Sequence, residues 1–222
     1  MEYKLIRSKR KTIAICIGRD AAVTVRAPLK APKCLIDKFI VEKQNWVCDK
    51  TEEIKKCGSE RQNFEIKDGS LIQMLGKDYP VNISSKVCFD GNTFLVTAQS
   101  SEEIKRQIIE IYNEAALKVI TERTDYFSKL TGLIPSKVRI GTANTYWGCC
   151  SGKNSINFSW KLIMAEPQVI DYVIIHELCH TVEHNHSKRF WHMVQKIIPD
   201  YKERRIKLKD LEKKLQTQDW SL

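Results

Sequence analysis

No stretch of this 222-residue chain approaches the run of about 18 apolar residues that spans a bilayer, so no membrane-spanning helix is expected. The eight cysteines include no C-x-x-C pair, which removes the paired knuckles of a structural four-cysteine zinc site. Scattered thiols in a chain long enough to bury its own core need no disulfides and suit a reducing compartment. In MEYKLIRSKRKTIAICIG the charges lie inside a short alternating segment, and no small-residue cleavage site follows an apolar block. A cytoplasmic location is therefore expected. Internal repeats and low-complexity linkers are absent. Histidine is scarce: there are five, and all of them lie between His176 and His192.

What is present fits a soluble α+β chain. Hydrophobic residues make up 42% and charged residues 29%, ordinary for a globular protein. The net charge of +10 permits contact with nucleic acid or an acidic surface without requiring it. Much of the excess falls in residues 4–11 and 196–214, and the second stretch, with its interspersed acids, reads as a solvated helix face. Short β-rich runs at 3–6, 12–17 and 21–26, with a turn at Gly18-Arg19-Asp20, precede a helical pattern over 33–56 that Gly58 should end. Residues 59–69 read as loop, followed by strands at 70–75, 79–83, 86–89 and 93–98, with Asp90-Gly91-Asn92 as a turn. A long helix capped by Ser100 or Ser101 runs to Gly132. Strands at 137–141 and 154–158, a helix opened by Pro167, another over 187–198 and a charged helix over 200–216 complete the chain. The weakest join lies near 98–101, which suggests a β-rich N-terminal region over 1–98 with one helix and a core over 99–222.

The chemistry concentrates in His176-Glu177-Leu178-Cys179-His180. Side chains four apart on a helix face the same way, so His176 and His180 can converge on one ion, and zinc accepts imidazole nitrogens at about 2.0–2.1 Å. Glu177 leaves the helix beside that ion and can take a proton from metal-activated water. The surrounding helix is apolar almost all round, from Val169 to Cys179. It should be buried, and buried polar side chains need partners. A catalytic zinc takes a third protein ligand. The candidates are His184, His186, Glu183, Glu203 and His192. On an unbroken helix His184 is about 12 Å along the axis from His176, too far to share its ion. His186 is favoured, with the spacing H-x₃-H-x₅-H known from metzincins, although Glu183 stands where those have a bending glycine. It requires the helix to end first, and Asn185 in a left-handed conformation can end it. Glu203 is the alternative. His184 and His192 read as residues outside the coordination.

Tyr146-Trp147-Gly148-Cys149-Cys150-Ser151, residues 154–162, the segment from Val169 to His180, Asn185-His186-Ser187 and Phe190-Trp191 together resemble the YgjP-like metallopeptidase family, zinc-dependent hydrolases related to SprT-like proteins. Arg7-Ser8 and Trp46 are similar to that family as well. The chain departs from its usual pattern at Cys149, where the family has serine, and at Thr181, where it has an apolar residue. The resemblance implies zinc on His176, His180 and His186, Glu177 as catalytic acid/base, and a zincin-like core with a small sheet packed on the metal helix. It implies a zinc hydrolase, and a metallopeptidase acting on peptide or protein substrates is the expected activity. Tyr172, Tyr201 and Arg189 are candidates for a second electrophile. Ser155-Ile156-Asn157-Phe158 can form either an edge strand that binds extended peptide or an internal strand. The competing reading is a nucleic-acid-associated protein with a structural metal site, based on the charge alone. A peptidase with weak nucleic-acid contact through its basic surface combines the two.

Overall fold

The computed structural model describes residues 2–18, 20–142 and 146–221. Arg19, in the turn expected from sequence, lies outside the described residues. The chain forms two compact units, one comprising Met1–Phe64 with Lys214–Asp219 and the other Glu65–Lys213 with Trp220–Leu222.

In the first unit, β1 (Lys4–Ser8) pairs parallel with β3 (Val23–Pro28), and β2 (Ala14–Ile17) pairs antiparallel with β3, giving the order β1-β3-β2. Alternation along β3 turns Val25 and Ala27 inward, where they join Ile36 and Ile40 of α1 (Lys33–Glu42) in a small core. The Arg7 guanidinium donates to the carbonyls of Pro28, Leu29 and Ala31 and so fixes the link from β3 to α1. The single helix expected over 33–56 is two: α2 (Gln44–Gln62) follows α1 after a break at Lys43, whose N–H turns back to the Ile40 carbonyl. Gly58 does not end it. One interior glycine costs a helix only about 1 kcal/mol, which the rest of α2 outweighs.

The second unit contains a four-stranded sheet, β4 (Leu71–Met74), β5 (Lys77–Ile83), β6 (Cys88–Phe89) and β7 (Phe94–Val96), in the order β4-β5-β7-β6. Leu75 and Gly76 turn β4 into β5 with positive φ, and their N–H groups donate to the carbonyls of Ile163 and Met164, which holds the strained Leu75 in place. The α3 helix (Ser101–Thr131) starts at Ser100, whose side chain accepts from the Glu103 N–H, and stops at Gly132 in the left-handed region. Phe94 meets Tyr112 of α3 edge-on, with ring centroids 5.4 Å apart. Strands 71–96 therefore share a unit with α3, and the division of the chain lies after Phe64.

The second sheet of this unit has β8 (Lys137–Gly141), β10 (Ser155–Ser159) and β9 (Gly148–Cys150) in the order β8-β10-β9. The strand expected at 154–158 is thus the central one, paired on both sides, and the edge-strand reading of it is corrected. The edges are β8 and β9, and the three residues of β9 carry too little alternation to stand out in sequence. A 3₁₀ turn (Trp160–Met164) leads to α4 (Pro167–Cys179), with Pro167 in its first turn, then α5 (Lys188–Ile197) and α6 (Tyr201–Gln216). The architecture is α+β, with three small sheets and six helices among the described residues. None of the helices is long and apolar enough to cross a membrane.

Candidate metal site

The α4 helix is buried on nearly every side: Val169, Ile170, Val173, Ile174, Ile175, Leu178 and Cys179 are all in the core. His176 and His180 leave it one turn apart. The helix ends at Cys179, earlier than Asn185, and by a different device. The N–H groups of His180, Thr181 and Val182 turn to the carbonyls of Glu177, Leu178 and Cys179, three residues back, and the Thr181 hydroxyl donates to the Leu178 carbonyl at 2.7 Å. Asn185 does not adopt a positive φ. The expectation of a left-handed Asn185 is therefore corrected: the tightened turn at 180–182 already reverses the chain.

That reversal brings His186 back over α4. Its Nε2 stands 3.1 Å from that of His176 and 3.2 Å from that of His180. Among the described residues these three imidazoles are the one group of histidine, cysteine and carboxylate side chains gathered closely enough to hold a metal ion. The Nδ1 of His180 lies 2.9 Å from the Glu183 carbonyl oxygen, which can only accept, so His180 donates there and its Nε2 carries a lone pair. Glu183, where metzincins have glycine, thus orients a ring through its backbone. Burial, helped by His180 and His186, lowers His176 to about 3, which keeps it neutral and able to coordinate. Tetrahedral ligands at about 2.0–2.1 Å from an ion stand about 3.3–3.4 Å from one another. The observed spacing fits a zinc-sized ion. His184 and His192 are exposed, as is Glu203 on α6, and none of them joins the group.

The cradle is aromatic. Phe190, fully buried, stacks on His180 at 4.4 Å between centroids and meets His176 and His186 edge-on at 4.9 Å. Trp191 stacks on His186 at 5.6 Å and on Tyr201 at 5.4 Å. Ser187 starts α5 by accepting the Phe190 N–H, which aims both rings at the histidines. In sequence Phe190 and Trp191 mark the family resemblance, but no spacing rule reveals their role.

Glu177 lies beside the imidazoles, 4% exposed, and its Oε2 has no hydrogen-bond partner among the described residues. Burial pushes its carboxyl up to about 7. The β9 strand presses on it: a Cβ at Gly148 would stand 2.7 Å from Glu177 Cγ and 3.0 Å from Oε1. Glycine is required there for close approach, a role that sequence could not disclose. Burial also raises the Cys150 thiol to about 11, and neither Cys149 nor Cys150 enters the group. Of the candidate electrophiles, Tyr172 is buried with its ring 5.9 Å from His176, Tyr201 stacks on Trp191, and Arg189 lies 3.8 Å from Glu183.

Three imidazoles, two from the end of α4 and one from the returning chain, thus converge beside a buried carboxylate in a group that could hold a metal ion. The model of the YgjP-like metallopeptidase domain matches residues 11–211, and the chain belongs to that family. The family implies a divalent metal. Among curated proteins no match is found. Among solved structures the chain is similar to the crystal structure of the metallopeptidase zymogen of Pyrococcus abyssi abylysin, at 26% identity over 40% of this chain and 93% of that one. Their TM-score is 0.37, too low for the likeness to bear on the site.

Proposed function

We propose that the chain is a zinc-dependent peptidase in which His176, His180 and His186 hold the metal and Glu177 is the general acid/base. The observation that carries this reading is the convergence of three ring nitrogens next to an unpartnered buried carboxylate. When bound, zinc supplies activation of a water and polarisation of the substrate carbonyl. Glu177 takes the proton of the attacking water at its carboxylate and returns it to the leaving amine. Its burial excludes bulk water from that transfer, and burial alone brings its carboxyl to about 7, near the pH at which it must both take and give. The Glu183 carbonyl and the Phe190 ring keep the His180 ring in place. The β9 edge, in contact with Glu177 through Gly148, is suited to align an extended peptide by strand addition.

Metal analysis of purified protein together with a peptide-library cleavage assay tests the proposal. One zinc per chain and cleavage that a chelator stops and zinc restores are expected. Zinc-loaded protein that cleaves nothing in the library, or cleavage that survives complete metal removal, removes the reading.

Gly148→Ala provides a separate check. The added methyl displaces the Glu177 carboxyl, and misplacing a catalytic group by about 1 Å costs on the order of 10² in rate. Turnover on a cleavable peptide should fall by about that factor while zinc content stays. Wild-type kcat in this variant would show that Glu177 does not need the close approach of β9.

A further inference from the structure

An open cleft of about 480 Å³ is lined by Trp191, Tyr201, Lys202, Arg205, Ile206 and Lys209, and Trp191 is the residue it shares with the cradle of the imidazoles. Lys202, Arg205 and Lys209 are spaced at i, i+3 and i+7 on α6, so they share one face. Two neighbouring cations of that helix are engaged elsewhere: Arg204 donates to Asp200 and to the Gln168 carbonyl, and Lys207 to Glu166. Among the described residues no carboxylate stands within ion-pairing distance of Lys202, Arg205 or Lys209. The Arg205 guanidinium lies over the Trp191 ring at 5.6 Å, and Trp191 in turn stacks on His186. The cleft therefore offers three uncompensated cations and an aromatic wall, one ring away from the imidazoles.

We propose that this cleft is a substrate subsite that selects a carboxylate near the scissile bond, supplied by an Asp or Glu side chain or by the C-terminus of the peptide. The proposal rests on the peptidase reading. Arg205 is its centre, because a guanidinium can hold a carboxylate through two parallel hydrogen bonds. Lys202 and Lys209 add charge at the rim. The apolar surface of Ile206, 60% exposed, gives the stem of the acidic residue something to cover. The short arc of cations around one cleft suits a single anionic group better than a phosphate backbone, which needs a track of contacts.

The test uses labelled octapeptides that carry Glu, Gln or Lys at each position in turn, with amidated and free C-termini. Their binding is measured on the zinc-loaded Glu177→Gln variant of the full chain and their cleavage on the wild type. At one position Glu should bind about tenfold better than Gln, the size of a hydrogen bond to a charged group. Arg205→Gln should bring that ratio to about one, and Arg205→Glu should invert the preference towards Lys. Zinc content of each variant is read in parallel, because Arg205 touches the ring that supports His186. A preference lost on amidation assigns the chain end as the carboxylate; one that survives amidation assigns the side chain. Equal binding of Glu, Gln and Lys peptides at every position and of both C-terminal forms, or a Glu preference that survives Arg205→Gln and Lys202→Gln together, overturns the subsite. Binding of a short oligothymidine that Arg205→Gln abolishes, with no peptide discrimination, overturns it in favour of nucleic acid. Cleavage without acid preference sinks the subsite alone, whereas acid-selective binding without any cleavage sinks the peptidase reading and leaves the cleft as a carboxylate site.

Discussion

Glu177→Gln should leave zinc in place and lower turnover on a cleavable peptide by about 10² to 10⁴. The reason is geometric and chemical at once. Glu177 follows His176 directly, so its side chain leaves the helix about 100° around the axis from that ring. It is not one of the residues gathered at the ring nitrogens. Glutamine matches its shape and keeps a carbonyl oxygen that can accept a hydrogen bond, but it cannot take a proton at neutral pH. The variant is isosteric in a site where Gly148 leaves no room for a larger group, so the fold should hold. Removing a carboxyl that burial already pushes up to about 7 also removes a desolvation cost, and the variant should melt no lower than the wild type. Metal analysis, a melting curve and single-turnover kinetics on one peptide settle the point. Full turnover in the Gln variant would take Glu177 out of the mechanism, and loss of zinc would make it a ligand.

The parts of this site that were legible in sequence are those fixed by local periodicity. His176 and His180 share a face because they are four apart on an apolar helix, and the burial of that helix follows from its composition. Spacing favours the return of His186 but does not disclose its physical cause. The sequence suggests a left-handed Asn185, whereas the chain turns on three-residue hydrogen bonds at 180–182 and the Thr181 hydroxyl. Nothing in composition separates these two ways of ending a helix. The contributions of Gly148, Phe190 and Trp191 depend on which sheet edge and which helix pack on α4. Contacts of that kind have no sequence period. The charged C-terminal stretch shows a further limit. Its apolar residues, Ile206, Leu208, Leu211 and Leu215, do not form one stripe, since 206 and 208 point about 200° apart. Leu211 is buried, Leu208 and Leu215 are half-buried, and Ile206 is exposed at the cleft that Trp191 lines. Packing through all four of these residues is the sequence expectation, and it fails at Ile206, which lines the cleft with Trp191 and Arg205 instead.

Replacing His176, His180 or His186 with Ala should each strip the zinc and lower the melting temperature, whereas His184→Ala should do neither. Metal that binds only the folded state stabilises it by mass action, about 4 kcal/mol at a free concentration of about a thousand times Kd. For a chain of this size each kcal/mol moves the melting temperature by about 2–4 °C, so loss of the metal should lower it by roughly 10 °C or somewhat more. The three variants should then part company once a chelator has also removed zinc from the wild type. His186 is exposed, so without metal His186→Ala should melt close to the chelated wild type. His180 is buried, stacks on Phe190 at 4.4 Å and donates to the Glu183 carbonyl, so His180→Ala should melt lower still. That difference separates the share of the metal from the share of packing, which zinc content alone cannot do. Calorimetry with and without chelator, alongside metal analysis, reads both. If His184→Ala strips zinc while His186→Ala retains it, the third ligand is misassigned. If all three variants keep the wild-type melting temperature and zinc content, the convergence of these rings is a packing arrangement and not a metal site.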